Sequence, residues 1–197
     1  MEEVRVIGIN GSPRKDGNTA ILVREVLGTL SGAGISTEFY QLGGADVNGC
    51  DACMLCKKKK DGFCHRENDV LNDLIGRMMK ADGIIIGSPV YFSDVTPEVK
   101  ALIDVAGYAG RAAGNIYRRK VGAAVVAVRR AGAIHTFDSI NHFFLINEMI
   151  VPGSSYWNIG IGREKGDVIN DEEGIRTMRT LGENMAWVIK GLPPAGR

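Results

Sequence analysis

Short apolar runs that alternate with amphipathic stretches constrain the fold of this chain more than any other feature. Residues 83–88 and 121–128 are apolar on both sides, which is typical of strands that helices cover on both faces. The other predicted strands are residues 4–10, 37–42 and 156–161. Strands that alternate with helices pair in parallel through right-handed crossovers. The sequence therefore predicts an α/β fold with a doubly wound, five-stranded parallel sheet of order 2-1-3-4-5 and helices on both faces.

Helical spacing of apolar residues fills the intervals between these strands. The first helix begins at Thr19 and ends near Gly32. Asp69 and Thr96 stand where helix caps are expected, and Pro97 after Thr96 is a favourable first helical residue. Two more helices are predicted around residues 137–149 and 175–185.

Two connections carry no helical or strand periodicity. Residues 43–67 exceed the roughly 12–15 residues of an ordinary structureless connection, which indicates that this insertion has a function. Residues 161–171 are polar and predict a surface loop before the last helix.

Chain length and charge limit the classes of protein that fit. The 197 residues suit one domain, and we predict a single domain over residues 1–197. The formal net charge of +1 gives no reason to expect nucleic acid or an anionic membrane as a partner. The acidic start is unlike a signal peptide, and no apolar run approaches the ~20 residues of a membrane span. We therefore expect a soluble, cytoplasmic protein.

A loop rich in small polar residues joins the first strand to the first helix. Residues 10–19 read NGSPRKDGNT, which is neither a Walker loop nor a dinucleotide fingerprint. Backbone N–H groups, two hydroxyls, the Arg14 guanidinium and the helix N-terminus could all point at one phosphate. The alternative is an ordinary surface turn. The position favours a phosphate site, because doubly wound sheets bind ligands at the carboxyl ends of their strands.

Three segments resemble the flavin loops of one family. GSPR followed by GNT resembles the FMN-phosphate loop of the NADPH-dependent FMN reductases, a branch of the flavodoxin-like superfamily. Residues 88–92, SPVYF, resemble the second flavin loop of that family, and residues 129–132, RRAG, occupy the place of the third. The resemblance covers most of the chain in the expected order, and it implies a flavodoxin-like fold that binds FMN.

The resemblance also implies roles for individual residues. The residues that would hold the phosphate are Ser12, Arg14, Asn18 and Thr19. Those that would line the isoalloxazine ring are Pro89, Val90, Tyr91 and Phe92. The other side of the ring would be closed by Arg129, Arg130 and Gly132. The alternative for Tyr91 and Phe92 is that they are core residues at the end of a strand. A cation near the N1–C2 edge of the flavin would stabilise its anionic reduced form.

All four cysteines lie in the insertion. Their spacing is C-x2-C-x2-C-x7-C, and the ligands would be Cys50, Cys53, Cys56 and Cys64. The first three match the compact spacing by which bacterial ferredoxins bind a [4Fe–4S] cluster, whereas zinc sites usually present two separated pairs. Thiols without a metal, a redox disulfide and adventitious zinc are the alternatives. The loop is similar to that of the iron-sulfur flavoproteins, a subgroup of the same family, which implies a [4Fe–4S] cluster.

Basic and imidazole side chains surround this motif. The four lysines at 57–60 indicate a solvated loop tip, or a surface that attracts an acidic redox partner. His65 follows the last cysteine and is either a substitute ligand or a solvent-facing residue. We interpret His135 and His142 as structural, and no arrangement of residues predicts a catalytic acid, base or nucleophile.

Three functions fit these features. The first is an iron-sulfur flavoprotein that moves electrons from a ferredoxin-like or nicotinamide donor to a quinone, a flavin or an oxygen species. The second is an NAD(P)H-dependent FMN or quinone reductase without a cluster, and the third is a non-catalytic FMN electron carrier. A zinc-binding module without flavin is a remote fourth. The resemblance also implies a homodimer or homotetramer.

Overall fold

Five parallel strands form the central sheet of the computed structural model, which describes residues 3–192. The strands run in the order β2-β1-β3-β4-β5 and every neighbouring pair is parallel, so the predicted topology is confirmed. They are β1 (Arg5–Asn10), β2 (Ser36–Gln41), β3 (Gly83–Pro89), β4 (Val121–Val128) and β5 (Ile159–Ile161).

Helices cover both faces of this sheet. One face packs against the first and last helices, and the other face packs against the third, fourth and fifth. The second helix is a short one that packs against the fourth. They are α1 (Asn18–Gly32), α2 (Leu55–Lys59), α3 (Asp69–Lys80), α4 (Pro97–Ala112), α5 (Ala133–Ile146) and α6 (Glu172–Gly191).

Alternate residues of the central strands supply the two cores. Ile84 and Ile86 of β3 pack on the side of α3 and α4, while Ile85 between them packs on the side of α1 and α6. Val6 and Ile7 of β1 divide in the same way. This two-residue period explains why the central strands are apolar throughout, since both of their faces are buried.

The last strand is shorter than the predicted 156–161. Ile150 forms an isolated bridge with Val121, and regular pairing with β4 resumes only at Ile159. Between these points the chain leaves the sheet, and the Asn158 side chain donates a hydrogen bond to the Ala124 carbonyl at 2.9 Å. Tyr156 and Trp157, at the start of the predicted strand, are exposed and belong to this excursion.

Two helices begin at residues other than those predicted, because a glycine or an asparagine occupies the cap position. α5 begins four residues before the predicted residue 137, because Gly132 at φ +87° turns the chain directly from the β4 loop into the helix. Thr96 caps α4 as predicted, accepting a hydrogen bond from Val99 N. Asp69 does not cap α3, because Asn68 occupies that position.

The unpredicted α2 lies inside the 43–67 insertion, and a short 3-10 turn, Asp167–Asn170, lies in the predicted 161–171 loop.

None of the helices found between residues 3 and 192 combines the length and the apolar character needed to cross a bilayer.

Tyr117 is a fully buried side chain with an unpaired hydroxyl. It packs against the Phe143 ring at a centroid distance of 5.7 Å and is 0% exposed. Within the described residues the hydroxyl has no hydrogen-bond partner. Burial raises the pKa of Tyr117 far above its usual value, so the hydroxyl stays protonated and unpaired.

We expect Tyr117→Phe to raise the free energy of unfolding by about 1 kcal/mol, because a buried polar group without a partner costs roughly 1–3 kcal/mol. Urea denaturation measures the change. Tyr40→Phe is the matched control, since the Tyr40 hydroxyl donates to the Val70 carbonyl at 3.4 Å and its loss gives no gain. A Tyr117→Phe protein less stable than the parent would contradict the assignment.

Candidate functional site

The predicted flavin loops lie at one edge of the sheet. They follow β1, β3 and β4, and these three strands are neighbours in a parallel sheet. Their carboxyl ends therefore meet at the same edge, where doubly wound folds bind ligands.

The loop after β1 is braced by two polar side chains of the sheet. Gln41 at the end of β2 donates through Nε2 to the carbonyls of Ser12, at 2.8 Å, and Gly43, at 2.7 Å. Asn10 donates to Gln41 Oε1 at 2.7 Å, and its Oδ1 accepts from Ser12 N at 3.2 Å. Sequence reasoning missed both side chains, although each is a polar residue that ends a strand next to the loop. They fix the loop before any ligand arrives.

Two glycines permit close backbone contacts at this loop. A Cβ at Gly43 would lie 2.2 Å from the carbonyl carbon of Ser12, and a Cβ at Gly11 would lie 2.2 Å from Val99 Cγ2. The Thr96 hydroxyl, which caps α4, donates to the Gly11 carbonyl at 2.9 Å. Any side chain at either glycine would push the loop away from its neighbours.

The start of α1 offers free donors to an anion. The helix begins after Gly17, which has no side chain to accept from the N–H groups of the first turn. The Ser12 hydroxyl accepts from Arg14 N at 3.2 Å, and Thr19 is 1% exposed. Arg14 is exposed and forms no ion pair with any carboxylate in residues 3–192. Unsatisfied N–H groups beside an unpaired guanidinium fit a phosphate.

Asn18 is fully engaged by another loop. Its Nδ2 donates to the carbonyls of Gly162, at 3.2 Å, and Glu164, at 2.9 Å. Its Oδ1 accepts from Gly166 N at 2.8 Å and from Val168 N at 3.4 Å. The side chain therefore holds the segment after β5 against the start of α1. A contact between Asn18 and a phosphate remains a prediction, and it would use the backbone N–H.

The loop after β3 is a tight turn with an aromatic tip. Tyr91 and Asp94 exchange backbone hydrogen bonds at 2.8 and 3.0 Å, and the two residues between them, Phe92 and Ser93, have φ of +48° and +64°. Tyr91 is 44% exposed and Phe92 is fully exposed, so neither is a core residue. Pro89 and Val90 lie partly buried beneath them. The turn places two exposed aromatic residues at the edge of the sheet where the predicted flavin loops meet.

The loop after β4 packs against this turn. A Cβ at Gly132 would lie 2.9 Å from Ser93 Oγ and 3.0 Å from Val90 Cγ1, so the two loops touch. Arg129 and Arg130 are exposed, and neither pairs with a carboxylate anywhere in the described chain. The second and third predicted loops thus form one wall, with two free cations at its rim.

A histidine at the start of α5 lies near a carboxylate in the turn after β3. His135 Nε2 lies 3.9 Å from Asp94 Oδ2, and His135 is exposed. Burial acts to raise the pKa of Asp94, but hydrogen bonds from Ser139 and from the Val95 N–H, together with the nearby His135 and Lys100, outweigh it and hold that pKa below its usual value. Asp94 therefore remains a carboxylate that faces the helix carrying His135.

The four cysteines of the insertion line a single cavity. Cys50 and Cys53 are exposed, Cys56 and Cys64 are half-buried, and all four thiols are free. Other walls of this cavity come from α4, where Tyr108 contributes its ring. The structure thus brings together every residue of the predicted ligand set around one space.

The four thiols do not form a site for a single metal ion within residues 3–192. Among the residues that the structure describes, no three Cys, His, Asp or Glu side chains are arranged so that they could hold a metal ion. A [4Fe–4S] cluster takes its thiolates at separate corners, so its ligands do not have to meet at a single point. Four cysteines are a donor set that iron-sulfur clusters take, and Asp51 and His65 also line the cavity.

Two asparagines, one at the cap position of α3 and one in its first turn, hold both ends of the cysteine loop. Asn72 accepts from Cys64 N at 2.9 Å and donates to Cys64 O at 2.8 Å. One turn earlier, the 5% exposed Asn68 accepts from Asn48 N at 3.2 Å and donates to Asn48 O at 2.8 Å. Sequence reasoning missed both. The available signal was two asparagines four residues apart, at the cap and in the first turn of the helix that follows the motif.

The backbone of the loop is strained, and its histidine is already paired. Ala52, Met54 and Lys60 have φ of +56°, +61° and +57° without being glycine, and such residues cluster at functional sites. His65 Nε2 lies 3.0 Å from Asp61 Oδ2, and this contact with His65 is the largest cause of the lowered pKa of Asp61. His65 lines the cysteine cavity while its ring contacts a carboxylate.

Comparisons with known proteins agree with this geometry. The family described as NADPH-dependent FMN reductase matches residues 4–164. An iron-sulfur flavoprotein of Methanocaldococcus jannaschii is 42% identical over 95% of this chain and 98% of its own length. A second iron-sulfur flavoprotein from the same organism is 33% identical over 95% of this chain and 98% of its own length.

Solved structures show the same fold at low identity. A flavodoxin from Agrobacterium tumefaciens, described as WrbA-like, superposes with a TM-score of 0.65 at 12% identity, over 95% of this chain and 98% of that one. The flavodoxin-like fold, the family match over most of the chain and the relatives that share its full length agree. The chain therefore belongs to the NADPH-dependent FMN reductase family, within its iron-sulfur flavoprotein subgroup.

Proposed function

We propose that this protein is an FMN-dependent oxidoreductase that also binds a [4Fe–4S] cluster and moves electrons between a reduced donor and an acceptor. One observation carries the proposal: all four cysteines of the C-x2-C-x2-C-x7-C motif line one cavity beside a fold whose ligand-binding edge suits FMN. The names of the relatives support it. FMN supplies one- or two-electron chemistry, and a cluster supplies one-electron steps.

The loop after β1 would bind the FMN phosphate. Arg14 supplies a charge-assisted contact, and the first-turn N–H groups of α1 supply neutral donors at the positive end of the helix. The Ser12 backbone is immobilised by Asn10 and Gln41, so little ordering remains to be done on binding.

The loops after β3 and β4 would hold the isoalloxazine ring. Tyr91 and Phe92 offer aromatic surface, and their turn is fixed by the contact of Gly132 with Ser93. Phe92 is fully exposed, which suits a side chain that a bound ring and a neighbouring subunit would cover. We accordingly propose a homodimer or homotetramer that completes the flavin site.

A second candidate function is an NAD(P)H-dependent FMN or quinone reductase. The two unpaired cations Arg129 and Arg130 favour it, because they stand at the rim of the ring-binding wall, where the phosphates of a nicotinamide dinucleotide could be met. In that function hydride passes from the nicotinamide to the flavin, and the cysteines are incidental. Rapid bleaching of the flavin by NADPH in a stopped-flow experiment, with anaerobically purified protein that contains no iron, would select this candidate.

Arg14→Ala should weaken FMN binding by about 1.5–3 kcal/mol, the range for hydrogen bonds to charged groups. Titration of apoprotein, followed by quenching of flavin fluorescence, gives the dissociation constant. Riboflavin, which lacks the phosphate, should bind the variant and the parent equally. Lys15→Ala is the control, because it removes the neighbouring exposed cation. An equal loss for riboflavin would show that Arg14 acts elsewhere.

Protein purified without air should contain about four iron and four sulfide per chain, along with FMN. Cys53→Ala and Cys56→Ala should remove the iron and the broad brown absorbance but keep the flavin, because the two sites use different loops. Iron, sulfide and flavin assays on each variant test this directly. Anaerobic parent protein that contains flavin but no iron would refute the cluster and leave the reductase.

Asn72→Ala should lower the iron content by at least about half, because Cys64 loses both backbone hydrogen bonds that place it. Asn72→Asp keeps the acceptor for Cys64 N and should retain more iron than alanine does. Asn184→Ala is the control, since Asn184 donates to a distant carbonyl, that of Gly153, at 2.8 Å. If Asn72→Ala keeps its full iron content, and loses iron in air no faster than the parent protein does, the hydrogen bonds from Asn72 do not position Cys64 for a cluster.

A further inference from the structure

A fourth loop lies at the carboxyl edge of the sheet, next to the three predicted flavin loops. We call residues 162–168, which follow β5, the β5 loop. Its first residue, Gly162, donates through its backbone N–H to the carbonyl of Val128, the last residue of β4, at 2.9 Å. The sequence predicted only a surface loop here, but the carboxyl ends of parallel strands are where doubly wound folds bind ligands.

One side chain of α1 binds the β5 loop. The Asn18 amide donates to the carbonyls of Gly162 and Glu164, and it accepts from the N–H groups of Gly166 and Val168. A primary amide has two donor hydrogens and two acceptor lone pairs, so Asn18 uses its entire hydrogen-bonding capacity on this loop. Because Asn18 is the first residue of α1, the loop is attached to the helix end that offers free N–H groups.

Contacts within the β5 loop fix its shape. A Cβ at Gly162 would lie 2.6 Å from Asn18 Nδ2, so this close approach requires glycine. Gly166 has φ of +93°, a left-handed conformation that suits glycine. The Asp167 carboxylate accepts from Glu164 N at 2.7 Å and closes the turn between these two residues. The loop is therefore positioned before any ligand binds.

Lys165 is the residue that this attachment brings to the start of α1. It lies between Glu164 and Gly166, and the backbone groups of both neighbours bind the Asn18 amide. Lys165 is exposed, and no carboxylate of the described residues pairs with it. A lysine ammonium sits on a flexible four-carbon stem. Lys165 is therefore an unpaired cation on a fixed backbone, beside the donors that would bind a phosphate.

Two carboxylates near this position already have cationic partners. Glu164 Oε1 lies 3.4 Å from Arg163 Nε. Asp16, the only carboxylate in residues 10–19, has its Oδ1 3.4 Å from Arg24 Nη1. These pairs leave the Lys165 ammonium available to an anion at the start of α1.

We propose that Lys165 is a second cationic ligand of the FMN phosphate and that Asn18 is the positioning residue that holds it there. The proposal rests on the FMN site of the proposed function. A phosphate monoester carries a charge of about −1.5 to −2 at pH 7, which is more than the single guanidinium of Arg14 neutralises. Lys15 is also exposed and is the alternative second cation, so the experiment compares the two lysines.

Lys165→Ala should weaken binding of FMN to the apoprotein by about fivefold, the upper end for an exposed ion pair, and leave binding of riboflavin unchanged. Quenching of flavin fluorescence gives both dissociation constants. Added salt should shrink the difference between Lys165→Ala and the parent, and Lys165→Arg should bind FMN within about twofold of the parent. Arg163→Ala is the matched control in the same loop, because its guanidinium already faces Glu164, and it should change FMN binding by less than about twofold.

Asn18→Ala tests the positioning role. Without this amide the β5 loop loses its four side-chain hydrogen bonds to Asn18, so Lys165 is no longer held at the start of α1. The effect of Lys165→Ala on FMN binding should therefore fall from about fivefold to less than about twofold in the Asn18→Ala background. A role of Asn18 in folding alone would leave that effect at its full size. Circular dichroism of each variant checks that it is folded.

Failure of the Lys165 contact and failure of the FMN site give different results. Equal weakening of FMN and riboflavin by Lys165→Ala, or no weakening of FMN, refutes a contact between Lys165 and the phosphate. A selective loss of FMN affinity in Lys15→Ala instead assigns the second cation to Lys15. Arg14→Ala reports the phosphate site independently, so a selective loss there without one in Lys165→Ala refutes only the role of Lys165. Parent apoprotein that does not bind FMN refutes the proposed function itself.

Discussion

The candidate flavin site depends on how closely three backbone segments approach one another at the edge of the sheet. Gly11 and Gly43 leave no space for a Cβ, and the Thr96 hydroxyl joins the loop after β1 to the start of α4. These contacts are made by the protein alone. The donors of the loop are therefore positioned in advance, and the binding of an anion does not have to order them.

The cysteine loop is held to the start of α3 by hydrogen bonds from asparagine side chains. The Asn68 side chain does not cap its own helix but forms two hydrogen bonds to Asn48, at the cost of an uncapped start to α3. Asn72 then fixes Cys64 from the next turn. The loop has little buried apolar surface of its own, so polar contacts with a core helix determine its position.

The sheet order, and the edge of the sheet at which the three predicted flavin loops meet, were predictable because they follow from local rules. Strands buried on both faces, helices between them and glycine-rich turns at strand ends leave few topologies. The cysteine spacing likewise predicted four residues that do line one cavity. What the sequence could not predict depends on contacts between distant segments. The engagement of Asn18 by the loop after β5, the bracing by Gln41 and the interrupted last strand each require residues that only folding brings together.

Several non-glycine residues have a positive φ, a backbone conformation that their side chains disfavour. Of the eight non-glycine residues with positive φ in the described chain, three lie in the cysteine loop and two are Phe92 and Ser93 of the aromatic turn. Glycine would adopt these conformations more easily, and each costs of order 1–3 kcal/mol that the surrounding structure must offset. A bulky phenylalanine held at φ +48° while fully exposed contributes nothing to the core. Its position is better explained by a ligand or partner that the side chain contacts than by the stability of the free chain.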